Sequence, residues 1–170
     1  MKARFLPAFT VLVAAFGLAG CFTSDQPLFT DDQAAAPYAR ITFAEQGSPE
    51  DKTTMTREGK AYVARLDDGT VTLRFLALGD DLYLTESTGG EEGEDAVRLY
   101  AVVRLDPAQN IAMSYKALAD DGDAGQGLPS CTREDMDMVC IEDVDAYVAL
   151  AKAAIATGAE PDSTYIVSFE

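Results

Sequence analysis

The chain has 170 residues, with 29 acidic and 13 basic side chains and a formal net charge of −16 at pH 7. This charge repels nucleic-acid phosphates, so we set nucleic-acid binding aside as a function. The sequence contains no histidine, which excludes Ser-His-Asp and Cys-His catalytic sites and a zinc site of the Cys/His type. It also lacks G-x-S-x-G, P-loop and G-x-G-x-x-G motifs. We predict no catalytic residue, no metal and no cofactor.

Residues 1–20 have the pattern of a bacterial signal peptide. Lys2 and Arg4 precede an almost wholly apolar run over residues 5–18, which matches a charged n-region followed by an h-region. A helix of about 14 residues, rising 1.5 Å per residue, is shorter than the roughly 30 Å hydrocarbon core of a bilayer. The segment therefore predicts export rather than a permanent transmembrane helix.

The apolar run ends in the sequence LAGC, residues 18–21. This motif resembles the lipobox of bacterial lipoproteins, in which small residues precede a cysteine that is acylated and becomes the N-terminus. The resemblance implies cleavage between Gly20 and Cys21, lipidation of Cys21, and a membrane partner in the cell envelope. Phe22 stands where aspartate retains enterobacterial lipoproteins at the inner membrane, so the periplasmic face of the outer membrane is favoured. The alternative is a chance cysteine after an ordinary signal peptide.

Residues 21–37 predict the lipidated cysteine and a flexible tether. The stretch TSDQPLFTDDQAAAP contains two prolines and three consecutive alanines and shows no sustained periodicity. Residues 38–170 then predict a single β-rich domain. Removal of the leader leaves 11 basic and 29 acidic residues, a net charge of −18. Such a charge keeps the surface soluble in a salty medium, or alternatively attracts basic partners.

Apolar residues recur with period two from residue 38 onward, the pattern of half-buried strands. Turn residues at 67–69, 79–81 and 106–110 separate the runs, which predicts an antiparallel meander. The clearest run, AVRLYAVVRL, places five apolar residues on one face: Val97, Leu99, Ala101, Val103 and Leu105. The same alternation predicts inward faces at Ile41 and Phe43, at Tyr62, Ala64 and Leu66, at Val71, Leu73 and Phe75, and at Ile111, Met113 and Tyr115.

Cys131 and Cys140 remain after Cys21 has been used for lipidation. An even pair of cysteines in an exported chain predicts a disulfide. Closing the eight-residue loop between them would stabilise the fold by roughly 2.5–3 kcal/mol. A redox-active pair is the alternative, but the spacing differs from the C-x-x-C arrangement that lowers a thiol pKa. The acidic stretch just before them fails the calcium-loop pattern, because Gln126 stands where glycine is required.

The periodicity changes to that of a helix after the cysteines. Apolar residues spaced i, i+3, i+4 and i+7 predict a helix over about 143–157, with Asp143 as N-cap and Gly158 as its stop. The stretch STYIVSF then predicts a final strand. The fold class is therefore α+β, an antiparallel meander sheet packed with one helix in the C-terminal half, with a partly closed barrel as the alternative.

Three side chains on the polar face of the AVRLYAVVRL strand form a candidate interaction surface. Arg98, Tyr100 and Arg104 lie opposite the apolar face, and this composition is enriched at protein interfaces. The alternative is that the helix covers this face and that Val102 belongs to the core. We expect a non-catalytic binding or scaffold module that contacts an envelope protein. The alternatives are an acidic inhibitor of a basic secreted enzyme, such as a lysozyme-type muramidase, and a carboxylate-based hydrolase.

Overall fold

Antiparallel strands dominate the structure. The computed structural model describes residues 22–24, 26–67, 69–90, 97–115, 130–133, 136–140 and 143–170. The strands are β1 (Phe22–Thr23), β2 (Ala34–Ala35), β3 (Arg40–Glu45), β4 (Thr53–Glu58), β5 (Ala61–Leu66), β6 (Gly69–Gly79), β7 (Leu82–Gly90), β8 (Val97–Asp106), β9 (Ile111–Tyr115), β10 (Ser130–Arg133), β11 (Met136–Cys140) and β12 (Ser163–Phe169). A short 3-10 helix covers Asp31–Gln33, and the α-helix α1 covers Val144–Ala156.

Eight of the described strands, β3 to β9 and β12, form a closed barrel. Successive strands from β3 to β9 pair in antiparallel order, and β12 pairs with both β3 and β9. The α+β class with an antiparallel meander is confirmed. The barrel is closed rather than partly closed, because β12 returns after α1 and gives β3 and β9 their second neighbours. Closure removes the exposed strand edges that an open sheet leaves.

Side chains fill the interior of this barrel. Tyr62 and Met55 are almost fully buried, and the rings of Tyr62 and Phe75 meet edge to face at 5.5 Å. A cavity of about 30 Å³ remains between apolar side chains, the space of a single water molecule. Tyr38 covers one end of the barrel: its amide donates to the Tyr62 hydroxyl at 3.0 Å, and its ring lies 4.4 Å from that of Phe169.

Strand β9 presents a different face to the barrel interior from the one the sequence predicts. Ala112 belongs to the core, whereas Ile111 and Met113 are only half-buried on the outer face. Ala112 lies opposite Leu105 on β8 and Tyr165 on β12. These two large side chains occupy the interior at this level, so the strand between them contributes a small residue. The predicted inward face of Ile111 and Met113 is therefore wrong.

A second core lies on the outer face of β6, β7 and β8. The helix α1 and residues 22–36, which we call the N-terminal segment, pack there against Leu84 and Val102. Phe22 and Phe29 of this segment are only 3% and 2% exposed, and β2 pairs with β6. The expectation of a flexible tether is thus not met between residues 22 and 36. Phe22 and Phe29 are isolated apolar residues in a polar stretch, so they give no periodic pattern in the sequence. In the structure they pack on the apolar outer face of the sheet, against Leu84 and Val102.

The helix α1 begins and ends as its sequence predicts. The Asp143 carboxylate accepts hydrogen bonds from the amides of Asp145 and Ala146 at 3.0 Å each, which is the geometry of an N-cap. Gly158 adopts a left-handed conformation with φ of +88°, which ends the helix. Tyr147 and Ala151 face the second core. Among the described residues, no helix combines the length and hydropathy that crossing a bilayer requires.

Three short strands extend the sheet beside the barrel. Strand β1 pairs with the first half of β8 and, in parallel, with β11, which forms a hairpin with β10. The backbone register places Cys131 opposite Met138 and Cys140 opposite Thr23. The side chains of both cysteines lie outside the described part of the structure, so the disulfide stays a prediction.

The turn between β6 and β7 offers a stabilising substitution. Asp80 and Asp81 have φ of +53° and +59°, and Gly79 pairs with Leu82, the geometry of a type I′ turn, which favours Asn-Gly. The double substitution Asp80→Asn, Asp81→Gly is expected to raise the free energy of unfolding by about 1 kcal/mol, measured by urea denaturation. It also removes the repulsion between neighbouring carboxylates. A lower stability would contradict this turn geometry.

Candidate functional site

Three polar side chains lie side by side across the outer face of β6, β7 and β8. The strand register places Arg74 opposite Glu86 and Glu86 opposite Tyr100. Arg74 donates through Nε to Glu86 Oε1 at 2.8 Å and through Nη2 to the same oxygen. The Tyr100 hydroxyl donates to Glu86 Oε2 at 2.5 Å. We call Arg74, Glu86 and Tyr100 the polar cluster.

The polar cluster is buried, and its internal bonds compensate for that burial. The Glu86 side chain is 3% exposed and that of Arg74 12%. A carboxylate at such a depth is unfavourable unless it is paired and hydrogen-bonded, and here each of its two oxygens has a donor. Burial, and then the hydrogen bond to Glu86, raise the pKa of the Tyr100 hydroxyl above its usual range. Tyr100 therefore remains a protonated donor.

The N-terminal segment lies directly over the polar cluster. Arg74 Nη1 forms an ion pair with Asp31 Oδ1 at 2.5 Å, and Nη2 donates to the Phe29 carbonyl at 3.3 Å. The guanidinium also stacks over the Phe29 ring, 4.9 Å from its centroid. The Leu28 amide donates to the Tyr100 hydroxyl at 3.2 Å. These hydrogen bonds, the ion pair and the stacked ring attach the N-terminal segment to the barrel wall.

The predicted interaction surface is rearranged in the structure. Tyr100 is 3% exposed and Val102 is fully buried, because the N-terminal segment and α1 cover this face of β8. The alternative interpretation, with Val102 in the core, is therefore what the structure shows. Arg98 and Arg104 are half-buried, and the Arg104 guanidinium lies 5.9 Å from the centre of the Tyr115 ring. The three residues do not form one exposed surface.

The sequence carries no register signal for the polar cluster. The turn predicted at residues 79–81 pairs Gly79 with Leu82, and counting back from that pair would place Arg74 opposite Ser87. An irregularity between Ala77 and Gly79 shifts the register by one residue and brings Arg74 opposite Glu86. The link from Glu86 to Tyr100 crosses residues 91–96, whose length fixes no register. Gly20 and Cys21 lie outside the described residues, so cleavage and lipidation stay predictions.

Two buried tyrosines provide a matched pair of substitutions. The Tyr147 hydroxyl is buried, and none of its contacts with described residues has the geometry of a well-formed hydrogen bond. The nearby Val102 backbone offsets only part of the rise in the Tyr147 pKa that burial causes. The Tyr100 hydroxyl, in contrast, donates to Glu86 at 2.5 Å. We expect Tyr147→Phe to leave the free energy of unfolding unchanged or to raise it by up to about 1 kcal/mol. Tyr100→Phe is expected to lower it by about 1.5–3 kcal/mol, since it removes a hydrogen bond to a charged group. Urea denaturation measures both, and equal losses would contradict the assigned roles.

The polar cluster faces the N-terminal segment rather than an open cleft. Its residues join β6, β7 and β8 to a stretch of chain that begins beside Cys21. No group of three or more potential ligands is placed to hold a metal ion in the parts of the chain that the structure describes. No protein-family model, curated protein or solved structure matches the chain.

Proposed function

We propose that the chain is a lipoprotein of the bacterial envelope, anchored through acylated Cys21, and that its barrel is a non-catalytic module that binds or organises another envelope protein. The observation that carries this proposal is the packing of apolar side chains in the barrel interior, where the cavity between the described residues measures about 30 Å³. Barrels that hold a small ligand leave space for it inside. A partner of this barrel therefore binds on its outer surface.

The outer face of β3 and β12 offers a surface for such a partner. Ile166 is 44% exposed at the side of a shallow depression of about 360 Å³. Pro49 adds exposed apolar surface to this depression, and Lys52 adds a positive charge. An exposed apolar centre with a polar surround is the usual composition of a protein contact site.

The membrane anchor is tested by mass spectrometry of the protein purified from bacterial membranes. We expect a mature N-terminus at Cys21 that carries acyl chains, and a Cys21→Ser variant that is released from the membrane. An unmodified N-terminus, or a Cys21→Ser variant that stays membrane-bound, would contradict the lipoprotein proposal.

The binding module is tested by in-cell photo-crosslinking of the full-length protein. A crosslinking residue replaces Ile166, with a matched position at Thr70, an exposed residue on β6 across the barrel. We expect one discrete crosslinked envelope protein from position 166 and none from position 70, also when isolated membranes are washed in high salt before irradiation. Crosslinks to basic proteins alone, formed only when that wash is omitted, would favour the inhibitor alternative, which the net charge of −18 supports. No crosslink at either position would contradict both.

A further inference from the structure

The chain pairs with the barrel strand β8 from the first residue after the predicted lipid anchor. Phe22 pairs with Tyr100 on β8 and with Val139 on β11, and its ring lies 4.8 Å from that of Tyr147. Phe22 directly follows Cys21 in the sequence and is buried, so no tether separates the predicted acylation site from the folded domain. A tether of fifteen residues would instead allow the domain to move about 50 Å from its anchor.

The N-terminal segment is attached at several points along its length. Phe22 is held in β1, Phe29 under the guanidinium of Arg74, and Ala34 in β2 against Leu76. The polar cluster adds the ion pair to Asp31. Detaching the segment would expose the rings of Phe22 and Phe29 to solvent and would also increase the exposure of the Glu86 carboxylate. The short distance between anchor and barrel is therefore a property of the folded domain.

The helix beside this attachment point has an apolar outer face. Leu150 is 41% exposed and follows Tyr147 by three residues, which places both on the same flank of α1. The thirteen residues of α1 include only two charged ones, Asp145 and Lys152. The other exposed positions of α1 are alanines: Ala146, Ala149, Ala153 and Ala156. An outer face this poor in charge is unusual for a domain with a net charge of −18, and it suits the headgroup boundary of a bilayer.

We propose that the wall formed by β1 and α1 lies directly against the membrane that holds acylated Cys21. This inference rests on the proposed lipid anchor and adds an orientation to it. Strand β4 lies opposite β8 in the order of the barrel strands and faces away from the membrane. Because the domain cannot extend from its anchor, a partner has to meet it at the membrane surface.

The sequence contains no tryptophan, so a single introduced tryptophan reports on one position alone. Leu150→Trp places the probe on the proposed membrane face, and Thr56→Trp places it on the exposed outer face of β4. The acylated full-length protein is reconstituted into vesicles of phosphatidylethanolamine and phosphatidylglycerol whose acyl chains are brominated. We expect the fluorescence of Leu150→Trp to be quenched about twofold more strongly than that of Thr56→Trp, or more.

A linker variant provides the control. Insertion of about fifteen Gly and Ser residues between Cys21 and Phe22 restores the reach of a flexible tether and is expected to abolish the difference between the two probes. Equal quenching at the two positions, in a protein whose acylation is established by mass spectrometry, would overturn the proposed orientation and leave the lipoprotein proposal standing. A Cys21 without acyl chains would overturn the lipoprotein proposal itself.

Discussion

Glu86→Ala is expected to lower the free energy of unfolding by about 3–5 kcal/mol, the usual loss when one partner of a buried ion pair is removed. The substitution leaves the Arg74 guanidinium, 12% exposed, with only the exposed Asp31 carboxylate as its ionic partner among the described residues. It also deprives the Tyr100 hydroxyl of its acceptor. Urea denaturation of the non-acylated Cys21→Ser protein measures the change, with that protein as reference.

An exposed ion pair supplies the control for this prediction. Glu58 and Arg65 form a two-bonded pair on the surface, with side chains 46% and 68% exposed. Solvent screens such a pair, so Glu58→Ala is expected to leave the unfolding midpoint nearly unchanged. Replacing both buried charges, as in Arg74→Met with Glu86→Leu, is expected to recover much of the lost stability because no unpaired charge remains. Similar midpoints for Glu86→Ala and Glu58→Ala would contradict the structural role of the polar cluster.

Phe29→Ala is expected to lower the free energy of unfolding by about 3 kcal/mol or more, the effect of removing a buried aromatic ring. Phe29 is 2% exposed in the second core, and its ring supports the Arg74 guanidinium. If residues 21–37 behaved as a tether, the same substitution would leave the unfolding midpoint unchanged. Pro27→Ala, at an exposed position two residues earlier, is the control. Equal midpoints for the two variants would support the tether and contradict the packed N-terminal segment.

Local patterns predict the elements whose burial alternates regularly. The periods of two and 3.6 indicate β3, β5, β6, β8, β12 and α1, and Asp143 marks the helix start that the structure shows. Strand β4 gives no such signal, since Met55 is its only buried residue. It forms because β3 and β5 lie on either side of it. In β9 the local alternation gives the wrong inward face. Ala112 points into the barrel because the neighbouring Leu105 and Tyr165 already fill the interior at that level.

The pairing at the candidate site is not predictable from the sequence, although a short turn joins two of its strands. The turn pairs Gly79 with Leu82, but an irregularity between Ala77 and Gly79 shifts the register by one residue and so brings Arg74 opposite Glu86. Tyr100 joins them across residues 91–96, and the alternation of its strand shows only that it lies opposite the barrel interior. That outer face is buried because Phe22 and Phe29 cover it, and isolated apolar residues without a period do not predict this packing.

The closing strand of the barrel also determines when the domain can reach its native state. Tyr165 on β12 pairs with Glu45 on β3, 120 residues earlier in the chain. Contacts so distant in sequence form slowly, because the entropy of closing the intervening loop is lost before the strands gain their hydrogen bonds. Until β12 pairs with it, β3 therefore has an unpaired edge, which is prone to aggregation. In a chain exported as we propose, the barrel closes only after β12 has crossed the membrane.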